Sequence, residues 1–343
     1  MAFNNNGLKW PSRLLVSVLI IFMISGLASA ATITVGPGES IQAAIDKASP
    51  GDTIEVKSGL YEENIDVSKS LALIGLDTGK GAPVINAAIL NAKGCELKGF
   101  KVGTPMGYGI SVLSSYNNVT DNKIESCMAG IFLKNSQGNL IADNEARIVC
   151  QGLGSLMRGD GIHLINSNSN IIRDNVVEDG FIGIYMDSSS HNLVEDNHAC
   201  NNTNGIGLLT SIGNTIKNNI LRDNSDDGLG ILKFSNDSAI EGNTVENSGD
   251  CGIYLQDSSH NAIYLNSFVG NKKNAGSKDA RSKGAPNQWH SPEPMSYSPG
   301  GKSITSYLGN YWSDYKGGDS DGDGIGDNPY NFNGGQDDYP LMN

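Results

Sequence analysis

Aromatic side chains, basic runs and long apolar stretches are all scarce in this chain of 343 residues. Phe, Trp and Tyr together make up 7% of it. That argues against one large globular core and suits many short strands joined by tight turns. No cluster of Lys and Arg interrupts a formal net charge of −13. Nucleic acid is therefore excluded as a partner, because binding it requires cations to neutralise phosphates. After residue 30 no apolar run is long enough to span a bilayer, so the mature chain is expected to carry no transmembrane anchor. The five Cys are odd in number and scattered, unlike a disulfide scaffold. Cys127 and Cys150 fall at neighbouring points of successive repeats and either bridge or pack as small hydrophobes.

Glycine, by contrast, is abundant at 43 residues. Gly-Ile or Gly-Leu pairs begin at Gly109, Gly130, Gly161, Gly183, Gly205, Gly228 and Gly252. Asn122, Asn144, Asn175, Asn197, Asn219, Asn243 and Asn266 follow at a nearly fixed offset. A second polar column runs through Asn117, Asn139, Asn170, Asn192, Asn214, Ser238 and Asn261. A period of about 22 residues means one small unit stacked on copies of itself. Within each unit, apolar residues alternate with others at the strand period, as in Ile184 and Met186 around Tyr185. Two further apolar columns pass through Val119 to Ile263 and through Ile124 to Phe268. Three short strands per coil close a core only when coils stack. The sequence predicts an all-β chain, a single-stranded right-handed parallel β-helix. The Asn columns are expected to supply both left-handed turn backbone and amide ladders.

Four segments follow. Residues 1–30 read as a signal peptide: Lys9 and Arg13, an apolar stretch from Leu14 to Leu27, then Ala28-Ser29-Ala30 before the cleavage point. Export to the periplasm, cell surface or exterior is expected. Residues 31–271 are the β-helix, opened by a short capping helix at Ser40–Ala48. Residues 272–302, rich in Lys, Gly, Ser and Pro, read as a loop or linker. Residues 303–343 form an irregular ending dense in Asp, Gly and aromatics. One repeat, between Gly130 and Gly161, carries about nine additional residues, including Cys150, Gly152, Gly154, Met157 and Arg158, which a solenoid places in a projecting loop.

Three groups of residues are candidates for chemistry. Asp319, Asp321, Asp323 and Asp327 alternate with Gly in a loop suited to a hard cation, with the Ile325 carbonyl as a further oxygen. Calcium in a structural role is the expected ion; an acidic turn held by its own hydrogen bonds is the alternative. Asp160, His163 and Asp187 lie beside the first strand column near the insertion and are candidate catalytic groups. No two acids share a slot in adjacent coils, so solvated surface is the favoured reading of them. Tyr185 and Tyr254, on the same strand face, are candidate glycan platforms. The five His residues do not stack in adjacent coils, so no copper site is evident.

Several motifs carry a resemblance. Ser40-Ile-Gln-Ala-Ala-Ile-Asp46, Gly51-Asp-Thr-Ile-Glu-Val56 and Gly59-Leu-Tyr-Glu-Glu63 resemble the opening of pectin-lyase-like β-helix proteins. The Gly-Ile and Asn repeats resemble the carbohydrate-binding and sugar-hydrolysis (CASH) class. Gly309-Asn-Tyr-Trp-Ser-Asp-Tyr315, Gly322-Asp-Gly-Ile-Gly-Asp327 and Tyr339-Pro-Leu-Met342 resemble the end of NosD-type proteins. That family is named for a periplasmic copper-binding maturation factor of nitrous oxide reductase. The resemblance implies the β-helix fold, sugar binding or sugar cleavage and, by the family label, copper. The epimerase motif Asp-Pro-His-Asp is not in the chain. The leading expectation is a non-catalytic protein that binds a polysaccharide or cell-surface glycan, or packs into the surface. The alternatives are a polysaccharide lyase, hydrolase or epimerase, and an accessory factor for copper delivery.

Overall fold

The computed structural model describes residues 30–104, 107–126, 128–148, 159–277, 287–298 and 303–342. The signal segment, Cys127, Cys150 and the insertion residues Gly152, Gly154, Met157 and Arg158 lie outside the described residues. The chain winds as a right-handed parallel β-helix with three long sheets. Sheet A has 11 strands, from Thr32–Val35 to Ala262–Tyr264. Sheet B has 10, from Val84–Ile85 to Tyr311–Trp312, and sheet C has 10, from Asn64–Val67 to Lys273–Ser277. One coil gives one strand to each: Ile182–Asp187 to C, Leu193–Glu195 to A and His198–Cys200 to B. Each strand pairs in register with its copies, so like residues stack. Ile162, Ile184 and Ile206 form one such column, and Val177, Ala199 and Leu221 another. All six are fully buried. Among the described residues no helix is long and apolar enough to cross a membrane.

The first coil is sealed by the helix Ile41–Lys47, which buries Ile41, Ala44 and Ile45 over the open end. Ser40 accepts the Ala43 N–H as N-cap, and the Glu63 carboxylate takes the Ile41 and Gln42 N–H groups at 2.9 Å each. Lys69 answers at the other end, donating to the Ile45, Asp46 and Ala48 carbonyls.

Polar ladders run up the stack. Asn122, Asn144, Asn175, Asn197, Asn219, Asn243, Asn266 and Asn310 are joined end to end. Each side-chain oxygen accepts the backbone N–H of the Asn before it, at 2.9–3.1 Å. The second column behaves alike from Asn117 to Asn287. A serine ladder from Ser136 through Ser167, Ser189, Ser211 and Ser235 to Ser258 has no counterpart in the sequence reading. The ladder Asn residues are not the left-handed ones. That backbone falls one residue earlier, at Asp121, Asp143, Asp174, Asp196, Asn218, Gly242 and Leu265. The turn residue absorbs the strained φ, and the Asn behind it keeps its amide free to bond between coils.

The stack runs further than the sequence repeat. Lys273–Ser277 adds a strand to sheet C. Asn287 ends the second ladder, and Trp289 is buried against Trp312 and Phe332. Within the 272–302 stretch, Asn274, Ala275, Ser277, Trp289 and Ser291 are buried. Asn310 re-enters the first ladder 44 residues after Asn266. Trp312, stacked on Phe268 at 4.6 Å, closes the core where earlier coils carry aliphatic residues.

Candidate functional site

The outer face of sheet C differs from the rest of the surface. Ser111, Phe132, His163, Tyr185, Gly207, Gly230, Tyr254 and Gly276 occupy one register position in successive coils. Parallel pairing sets them about 4.8 Å apart. Tyr108 and Phe132 stack at 4.4 Å, Phe132 meets His163 edge-on at 5.6 Å, and His163 lies 4.8 Å from Tyr185.

Asp160 and His163 sit on the same strand and meet. The His163 Nδ1 lies 3.0 Å from one Asp160 oxygen, and the other oxygen accepts the Ile182 N–H at 3.0 Å. The carboxylate is fixed from the neighbouring coil and in turn fixes the imidazole. Only 12% of the Asp160 side chain and 18% of the His163 side chain are exposed, so the expectation of solvated surface fails for this pair. With Nδ1 donating to the carboxylate, Nε2 keeps its lone pair. That nitrogen is buried and has no hydrogen-bond partner. Tyr185 stands beside it. Burial first, then the charges of Asp187 and Asp160, push its phenol up to about 12, so it remains a proton donor at neutral pH. Asp187 lies two residues further along the Tyr185 strand. Tyr254 is three coils away, about 14 Å by strand spacing. Both tyrosines are half-buried rather than fully exposed.

A second cluster joins Asp227 and Asp250, acids that the sequence sets just before repeat glycines with no pair evident, to Cys251. Asp227, Asp250 and Cys251 bring their polar atoms within 4.8 Å of one another. Burial pushes Asp227 up to about 6, with Asp226 and Asp250 adding to the effect. Asp250 is held below the usual carboxylate range by Lys273, whose ammonium lies 2.8 Å away. Burial beside both acids drives the Cys251 thiol up to about 12. A thiol that resists ionisation is a poor soft-metal ligand. Among the described residues this is the one such cluster that contains a Cys, and none contains a His.

In the acidic loop, Asp319, Asp321 and Asp323 converge within the same limit. Asp319 accepts the N–H groups of Gly322, Asp323 and Gly324, and Asp323 accepts that of Ile325. Burial alone would raise the Asp319 carboxyl, but these donors outweigh it and hold it low. Asp327 turns aside to the Ser320 N–H and hydroxyl. The donors are hard oxygens, which suits calcium in kind; Asp327 is not among the converging oxygens.

The family model of NosD, described as a periplasmic copper-binding protein, matches residues 150–317. Over that stretch the chain resembles the NosD family. The family's periplasmic description agrees with export, and the protein works outside the cytoplasm. No curated protein matches the chain. Among solved structures, the Dettilon tailspike protein aligns with a TM-score of 0.54 at 17% identity, over 71% of this chain and 64% of its own. Pectate lyase Pel9A aligns with a TM-score of 0.50 at 15% identity, over 75% and 80%. A point mutant of the periplasmic alginate epimerase AlgG gives 0.49 at 17% identity, over 74% and 75%. At these identities the likeness is one of fold. The matched stretch begins within the insertion and ends two residues past the Gly309–Tyr315 motif, so it takes in Asp160, His163, Asp227 and Asp250 but not the acidic loop.

Proposed function

We propose that this protein is an exported polysaccharide-modifying enzyme that moves a proton on a sugar lying across sheet C. The observation that carries the reading is the His163 imidazole, held by Asp160 and keeping a buried, unpartnered Nε2 beside the Tyr185 phenol. In this reading the side chains covering Nε2 yield as the sugar binds, Nε2 removes the C5 proton of a uronosyl residue, and the electron pair moves into the adjacent carboxylate. The Tyr185 hydroxyl then returns a proton to C5 from the other face, or protonates the departing O4 as the C4–O4 bond breaks. Epimerase and lyase are the two outcomes of one base. Asp160 is a positioning residue. The test is incubation with a panel of uronate-containing polysaccharides, read by unsaturated-uronate absorbance and by NMR of epimer content. Wild type gives product and His163→Ala does not. Product undiminished in His163→Ala, or no product on any polymer, rejects the reading.

Binding without turnover is the second reading. The stacked Tyr108–Phe132 pair favours it, because it extends an aromatic surface away from the acid–base groups. Copper delivery draws support from the family label alone.

We also propose that Asp319, Asp321 and Asp323, with the Ile325 carbonyl, hold a structural calcium ion. The support is the convergence of their oxygens. When bound, the ion would tie the acidic loop together electrostatically.

A further inference from the structure

Two kinds of glycine occur in the strands of sheet C, and only one is needed by the fold. A Cβ at Gly130, Gly161, Gly183 or Gly205 would lie 2.5–2.6 Å from the carbonyl oxygen of the matching glycine in the next coil. Those positions must be Gly. Gly207 and Gly230, two residues after the repeat glycines Gly205 and Gly228, are under no such constraint. Neither has a left-handed backbone. A Cβ at Gly230 would meet nothing within 4 Å, and one at Gly207 would make ordinary 3.4 Å contacts with Ile182 and Tyr185. Glycine inside a strand weakens it and marks a close approach by a ligand or another backbone. The same register position carries Phe132, His163 and Tyr185 before the pair and Tyr254 after it.

The result is a recessed strip two coils wide, bounded by Tyr185 and Tyr254, which are about 14 Å apart. Asn204 and Asp227 stand in register along one edge, and Leu209 and Leu232 along the other. From the Tyr185 strand to the Tyr254 strand these edge columns contain no Lys or Arg; Lys233 follows Leu232 but belongs to the turn. The charged members are Asp187 and Asp227; Lys273, one coil beyond, is engaged by Asp250 at 2.8 Å. A carboxylate over the strip would face like charge, while a neutral sugar ring would find bare backbone, leucine methyls and acceptors for its hydroxyls.

We propose that Gly207 and Gly230 floor a track for uncharged sugars. The substrate is then a mixed polysaccharide, with its acidic residue at His163 and neutral residues over the next coils. This rests on His163 being the reacting centre, as proposed above.

The test uses Gly230→Val and Gly207→Val. Gly230→Val adds a strand-favouring side chain where a Cβ meets nothing within 4 Å, so its melting temperature should hold or rise; at Gly207 the Cβ already touches Ile182 and Tyr185, so Gly230→Val is the deciding variant. The probes, in affinity electrophoresis, are gellan, xanthan and rhamnogalacturonan I as mixed polymers, with polygalacturonate and alginate as homopolyuronates. Wild type should be retarded by at least one mixed polymer and by neither homopolyuronate, and Gly230→Val should weaken that retardation at least tenfold. Retardation unchanged in Gly230→Val, retardation by a homopolyuronate, or none by any mixed polymer overturns the track. His163→Ala separates the two proposals. If it keeps retardation and turnover, the reaction centre fails. If Gly230→Val keeps retardation while His163→Ala abolishes turnover, the track fails and the reaction centre stands.

Discussion

Asn310 ends the main amide ladder on the carboxylate of Asp337. One Asp337 oxygen accepts the Asn310 N–H at 2.7 Å and its side-chain amide at 3.2 Å, and also the Trp312 indole N–H at 2.9 Å. The other oxygen takes the Tyr339 N–H at 2.9 Å. Every contact is a donor aimed at an acceptor, and the side chain is fully buried. An Asn in its place would turn one acceptor into a competing donor, which explains why the ladder stops on an acid.

Asp337→Ala should leave three N–H donors unpaired in the closing layer. A loss of roughly 3–5 kcal/mol is expected. Urea unfolding measures it. A loss below about 1 kcal/mol would mean that the C-terminal layer is not a cap.

Asp160→Asn should leave the fold intact and cut turnover on the order of 10²-fold, because the imidazole loses the acceptor that sets its tautomer. Tyr185→Phe should do the same while its melting temperature holds within a few degrees. Wild-type activity in both variants would remove the proton-transfer assignment.

The Asp227 carboxyl is raised by burial to about 6 from an ordinary 3.8. The folded state thus holds its proton more tightly than the unfolded chain. That contribution is full below pH about 4 and is lost as pH rises through 6. Asp227→Asn should therefore gain stability over wild type at pH 8, by about 1 kcal/mol after allowing for solvent screening, and gain nothing at pH 4. Paired urea titrations at the two pH values check it; a gain at pH 4 would have the wrong sign.

Calcium in excess should raise the melting temperature of the full chain and a chelator should reverse the rise. The gain is about 2–3 kcal/mol at ~100-fold excess over Kd. Asp321→Asn combined with Asp323→Asn should abolish the shift. The same melting temperature with and without chelator would leave the loop held by its own Asp319 hydrogen bonds.

The coils were legible in the sequence because stacking forces like residues into columns: Ile162 over Ile184, Asn175 over Asn197. The Asp227–Asp250 cluster was not. The register pairs Asp227 with Cys251, and Asp250 reaches the cluster from one residue earlier in the chain. Counting offsets from the repeat glycine keeps such diagonal neighbours apart. Asn310 was equally hidden, because it follows Asn266 in the ladder by 44 residues rather than by one repeat. His163 and Asp160 were named from sequence, but their meeting depends on both side chains leaving the strand on one side around Gly161, which alternation by twos does not reveal. The left-handed turns at Asp121, Asp143, Asp174 and Asp196 did have a signal: an acid repeatedly precedes the ladder Asn.

The ladders all point one way. From Asn122 to Asn310 each oxygen looks back towards the N-terminal helix, and the last amide hands over to Asp337. A coil therefore fits between any two others in one orientation only, and fits without altering either end. Whole coils can be gained or lost by duplication or deletion, whereas a fraction of a coil would set an amide against the wrong partner. The protein is in effect a ruler graduated in strand spacings. Evolution can reset its length, and with it the distance between the aromatic posts, without redesigning the posts themselves.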